Sequence, residues 1–179
     1  MIDKSHITQS IIRQLDFNLA YARKLVEDLT DEQMTTVPAK GFENHPAFTL
    51  GHLVSGMSLM VINDIEDVRK PGFMPEGWKE LFLRRGPGDP RMPEEDISKY
   101  PSKEELLTEL ELKHEMFKLC LLKFTDDELL GEQEWRFYKH MPNNLDSIIF
   151  MCVNHEAMHL GQLSAWRRAM GLESALAKL

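Results

Sequence analysis

Several things are scarce in this chain, and each scarcity removes a class of protein. Only two of the 179 residues are cysteine, Cys120 and Cys152. Two are too few for a disulfide framework, and both fall in apolar helical patterns, so the simplest setting is a reducing cytoplasm. Positive charge is in deficit: 21 Lys and Arg stand against 29 Asp and Glu, a formal net charge of −8. That argues against a sequence-independent grip on nucleic acid. No apolar run approaches the roughly 20 residues of a membrane span. The opening MIDKSHITQS is polar and lacks the apolar stretch of a secretory signal. No segment alternates apolar and polar residues for long enough to build a sheet, and no repeat is visible.

What is present is ordinary for a globular chain, with 42% hydrophobic and 28% charged residues, and the length suits a single domain over residues 1–179. Residues 5–29 carry a helical period through Ile11, Leu15, Leu19, Ala22, Val26 and Leu29. Thr30-Asp31-Glu32-Gln33 has the form of a capping box and predicts a short helical turn. A second helix is expected from Asn44-His45-Pro46 to about residue 67, with Leu50, Val54, Met57 and Val61 as its stripe. Residues 67–101 hold six of the nine prolines and four glycines, which predicts a long irregular loop with one short helix over 76–83. Its Phe73, Trp78, Phe82 and Tyr100 argue that it packs down on the rest. Ser102-Lys103-Glu104-Glu105 opens a third helix to about residue 124, striped by Leu107, Leu110, His114, Phe117 and Leu121. After a short turn at 125–128 and irregular residues 131–142, a fourth helix is expected from 143 or 144 to 170, with Gly171 as its stop. The expected fold is all-α, a four-helix bundle with a long loop between its second and third helices.

The fourth helix carries His155 and His159 in the stretch Asn154-His155-Glu156-Ala157-Met158-His159-Leu160-Gly161-Gln162-Leu163. At i and i+4 they share one face, about 5–6 Å apart at Cβ. Two imidazoles so placed can close on one divalent ion, with zinc–nitrogen bonds of about 2.0–2.1 Å. The pair also satisfies His-Glu-x-x-His, the zincin protease motif with Glu156 as base. The extension of that motif is missing, since Gln162 and Ala165 stand where glycine and histidine would be required, and no sheet is available to hold a peptide. A third ligand must come from upstream: His6, His45, His52, His114 and His140 are the candidates. His52 is the best placed, inside a helix among small residues in Leu50-Gly51-His52-Leu53-Val54-Ser55-Gly56.

Leu50-Gly51-His52-Leu53 and the later His-x-x-x-His-x-Gly-Gln-Leu resemble the DinB-like (YfiT-like) superfamily of metal-dependent enzymes. So do Asp31-Glu32-Gln33, Tyr100-Pro101-Ser102-Lys103-Glu104-Glu105 and Ala165-Trp166-Arg167-Arg168-Ala169-Met170-Gly171, so the likeness covers nearly the whole chain. It implies a four-helix bundle whose three histidines, here His52, His155 and His159, hold a divalent metal, zinc or nickel, with dimers common. Relatives of this kind include thiol S-transferases that use bacillithiol, mycothiol or glutathione, and a mycothiol-dependent maleylpyruvate isomerase. The segments 67–101 and 131–142 match less well, and they would shape a substrate pocket.

Three readings of function follow. A low-molecular-weight thiol cosubstrate attacks an electrophilic small molecule, or water does so in a hydrolase. Alternatively the protein is a non-catalytic, stress-related metal binder whose site is closed by Cys152, His45 or His114. No catalytic residue is assigned by the sequence. Glu156, turned about 100° from its histidine neighbours, is expected at the surface, the alternative being that it orients a ligand. His114 and Cys152 are expected in the core, Gln162 is expected to hydrogen-bond behind His159, and Trp78 and Phe82 are expected to cover the metal mouth.

Overall fold

The computed structural model describes residues 4–60, 74–83 and 93–179. Among them no strand forms, and the chain is all-α as expected. Four long helical segments dominate: α1 (Lys4–Val26), α3 (Pro46–Met60), α5 (Lys103–Lys123), and a last run of α7 (Asn144–Ile148), a π-helical turn (Ile149–Asn154) and α8 (His155–Ala169). Shorter pieces are α2 (Asp31–Met34), α4 (Trp78–Phe82) and α6 (Asp126–Leu130). The far end of the second helix, with Val61, and most of the loop with Phe73, at 67–73 and 84–92, lie outside the described residues.

The helix boundaries follow local chemistry. Thr30, Ser102 and Thr125 each close a capping box with Gln33, Glu105 and Glu128, satisfying amides that a helix start leaves unpaired. His45 does the same for α3 with its ring: Nδ1 accepts from the Phe48 amide at 3.1 Å, while Nε2 donates to the Glu94 carbonyl at 3.0 Å. Burial holds this imidazole near pKa 4, so it stays neutral and can accept. Gly171, at φ 72°, ends α8 in the left-handed region, where Gly171 and Leu172 return amides to Arg168 and Arg167.

The four long segments close a ring in the order α1, α5, α3, α8, each packing against the next. Leu15 and Ala22 of α1, Leu50 and Val54 of α3, Leu106 and Leu110 of α5 and Leu160 of α8 are fully buried inside it. Each such leucine contributes about 1.5–3 kcal/mol by leaving water. The ring order places α3 and α8 side by side, which is what brings an early histidine to a late pair. At the far end Arg167, 1% exposed, donates to the Leu25 carbonyl at 2.9 Å and to Asp28 at 2.5 and 2.8 Å, fastening α8 to the end of α1.

Candidate metal centre

His52 sits in the second turn of α3, and His155 and His159 open α8. Their ligating nitrogens all lie within 4.8 Å of one another, and this is the only such cluster of histidine, cysteine and carboxylate groups among the described residues. The ring centroids are 5.5 Å apart for His52 and His155, 4.7 Å for His52 and His159, and 4.5 Å for His155 and His159. All three rings are half-buried, so the cluster keeps an open side.

The outer nitrogens are already assigned. His52 Nδ1 donates to the Phe82 carbonyl at 2.8 Å, and His159 Nδ1 donates to Gln162 Oε1 at 3.0 Å. Each bond favours a tautomer in which Nε2 is the accepting nitrogen. The Nε2 atoms of His155 and His159 face each other at 3.1 Å. Burial, and then the charge of nearby His52, hold His155 near pKa 4, so at neutral pH that ring is an uncharged imidazole. A proton on His155 Nε2, or a metal ion shared by both rings, satisfies a pair of nitrogens at this separation. The donor set fits a divalent metal ion held by neutral imidazoles, with one side of the cluster open.

Local sequence sets these positions. A Cβ at Gly51 would fall 2.2 Å from the Phe82 ring, so only glycine lets α4 lie flat on α3. That contact delivers the Phe82 carbonyl to His52, whose ring also stacks on Phe48 at 5.8 Å. Trp78 packs on Phe82 at 5.0 Å between ring centroids. The short α4 thus touches the site through the back of His52. A cavity of about 370 Å³ is lined by Gly41, Phe42, Glu43, Asn44, Thr49 and Gln162, and it meets the cluster only through Gln162, the partner of His159.

The other sequence candidates are placed elsewhere. His6 and His140 are exposed, and His45 spends both nitrogens on capping α3 and on Glu94. Cys152 is fully buried, with its thiol pKa raised by burial and by the charge of Glu156. His114 lies in the core as expected.

Glu156 corrects an expectation. It is 1% exposed, not a surface residue. Its Oε1 accepts from His114 Nε2 at 2.8 Å and its Oε2 from Asn18 Nδ2 at 3.1 Å. The reason is geometric. At about 100° from His155, and with α8 packed between α1 and α3, a side chain that leaves the histidine face turns into the ring of helices. Asn18 carries the signal that was available in the sequence: it lies beside Leu15, Leu19 and Ala22 on the apolar stripe of α1, as His114 does on that of α5. Buried polar groups on apolar stripes need partners.

The model of a protein family described as the DinB superfamily matches residues 14–163. No curated protein matches the chain.

Proposed function

The chain belongs to the DinB superfamily, and from that premise we propose that it is a divalent-metal-dependent enzyme of the thiol S-transferase type. It would join a low-molecular-weight thiol to an electrophilic small molecule. The observation that carries this reading is the convergence of three imidazoles within 4.8 Å, with no fourth protein ligand among the described residues. Three histidines with an open position are the pattern of catalytic, not structural, zinc.

When bound, zinc or nickel supplies Lewis acidity that lowers the pKa of a thiol or water placed in the open direction. The protein does the rest by positioning. The Phe82 carbonyl and Gln162 hold His52 and His159 in the ligating tautomer. Gln162 spends its oxygen on His159 and keeps its amide protons for the neighbouring cavity, whose size of about 370 Å³ suits a small substrate. Hydrolysis remains the second reading, favoured by the half-exposed rings, which admit water. The reading without turnover is weakened because His45 and His114 are engaged away from the cluster and Cys152 is fully buried outside it.

A homodimer is part of the proposal. Phe17 on α1 and Leu112, Leu119 and Leu122 on α5 are large apolar side chains left 45–60% exposed; light scattering of the purified protein tests this. Both cysteines are free and buried, in keeping with the cytoplasmic setting proposed for the chain. No helix among the described residues is long and apolar enough to cross a membrane.

The deciding experiment is elemental analysis of purified protein, followed by an electrophile panel run with bacillithiol, mycothiol and glutathione beside an ester and amide panel. Metal-dependent consumption of thiol with a thioether product is expected. Metal-dependent release of acid without thiol would replace the transferase with the hydrolase. Metal content near zero, not restored by added zinc or nickel, would end both.

A further inference from the structure

We infer that Asn18, a residue of α1 that reaches none of the three histidines, sets the angle at which His155 meets the metal. The inference rests on the reading of His52, His155 and His159 as ligands. The chain does not enter α8 as a plain helix. Residues Ile149–Asn154 form a π-helical turn, and the His155 amide bonds to the Phe150 carbonyl, five residues back. Such wide turns are rare and intrinsically poor, and they persist where something holds them. Relaxed to an α-helix, this turn would rotate everything after it by about one residue, or about 100°. His155 and His159 would then leave the face that meets His52.

One side chain spans the junction. Asn18 Nδ2 donates to the Val153 carbonyl, inside the turn, at 3.2 Å, and to Glu156 Oε2, just beyond it, at 3.1 Å. The other Glu156 oxygen accepts from His114 Nε2. Asn18, Glu156 and His114 are 6%, 1% and 0% exposed. A buried carboxylate held by donors from two other helices cannot swing without stranding its charge. Glu156 is the residue after His155, so fixing the azimuth of one fixes that of the other. Asn18 links the turn to the carboxylate in a single group, and nothing in the local sequence of the turn performs that task.

The test uses the full-length protein and cobalt(II) as the probe, because its visible bands report ligand geometry. Asn18→Leu keeps the side-chain shape and removes both donors. The expected result is a shifted cobalt spectrum and affinity weakened about 10–100-fold, the range seen when groups supporting metal ligands are removed. Leu15→Ala, one turn away in the same core, should lower the melting temperature and leave the spectrum unchanged. The double exchange Asn18→Asp with Glu156→Gln reverses donor and acceptor between the two side chains and keeps the His114 contact but leaves the Val153 carbonyl without its donor, so it should restore only part of the spectrum. In the metal-free protein, Asn18→Leu should speed amide exchange at residues 154–158. If Asn18→Leu does not fold, Asn18→Ala is read in its place. Wild-type spectrum, affinity and exchange in the Asn18 variant would overturn the inference, as would Leu15→Ala reproducing its spectral shift. Failure of the underlying site reading looks different: the wild type would take up no cobalt, or His155→Ala would bind it as well as the wild type does.

Discussion

His155 and Glu156 are adjacent in the chain and face opposite demands. The histidine joins a half-exposed cluster of three imidazoles whose ligating nitrogens converge within 4.8 Å. The glutamate joins a sealed cluster in which each of its two oxygens has a donor. One group presents three converging imidazoles to an open side, and in the other the carboxylate is held on both oxygens by helices α1 and α5. A carboxylate held on both oxygens serves to fix the fold, and imidazoles converging at an open side are where a ligand fits.

The largest effect that can break this contrast is on metal content. His52→Ala, His155→Ala and His159→Ala should each abolish stoichiometric metal by elemental analysis while circular dichroism stays helical. Metal should raise the melting temperature of the wild type and not of these variants, since a ligand at about 100 times its Kd stabilises by about 2.7 kcal/mol. Full metal in all three would mean that the cluster is not the site.

Next in size is the sealed cluster. Glu156→Ala should cost about 3–5 kcal/mol by urea titration of the metal-free protein, because His114 and Asn18 lose their buried partner. Glu156→Gln keeps an acceptor for His114 and should cost less. Equal losses for Glu156→Ala and His159→Ala in the metal-free state would erase the distinction between the two clusters.

Gly51→Ala comes third. Its Cβ would meet the Phe82 ring at 2.2 Å, and overpacking of this kind costs about 1–3 kcal/mol. Because the same displacement moves the carbonyl on His52, metal affinity should fall together with stability. A drop in stability with unchanged affinity would detach α4 from the site.

The smallest effect is a pH slope. His45 and His155 are held near pKa 4, below the ordinary histidine value of 6.5, by burial. The unfolded chain therefore binds more protons than the folded one between those values, so the stability of the metal-free protein is full above about pH 6.5. It should be lost progressively as the pH falls toward 4, read as a falling melting temperature. His45→Gln should flatten part of the slope without touching metal binding. A slope that His155→Gln removes entirely would place all of the buried proton deficit in the open cluster.

The sequence revealed what depends on short-range spacing. The periods of α1, α3 and α5, the three capping boxes and the stop at Gly171 all rest on residues within one or two turns of each other. His155 and His159 were visible for the same reason, and His52 stood out because Gly51, Ser55 and Gly56 surround it. The inward carboxylate was not visible. Its partners lie 42 and 138 residues away, and the turn that precedes it, Ile149-Phe150-Met151-Cys152-Val153-Asn154, contains neither glycine nor proline to mark a change of pitch. Polar Asn18 and His114 on apolar stripes were the available hint, and they required a third partner that no local pattern names.

The short α4 has one more consequence. Trp78 leans on Phe82, and Phe82 holds the back of His52, so an indole stands two contacts from the histidine cluster. With Trp135 and Trp166 replaced by phenylalanine, the remaining indole becomes an optical gauge: its emission should change in colour or brightness as metal is added, with no label attached.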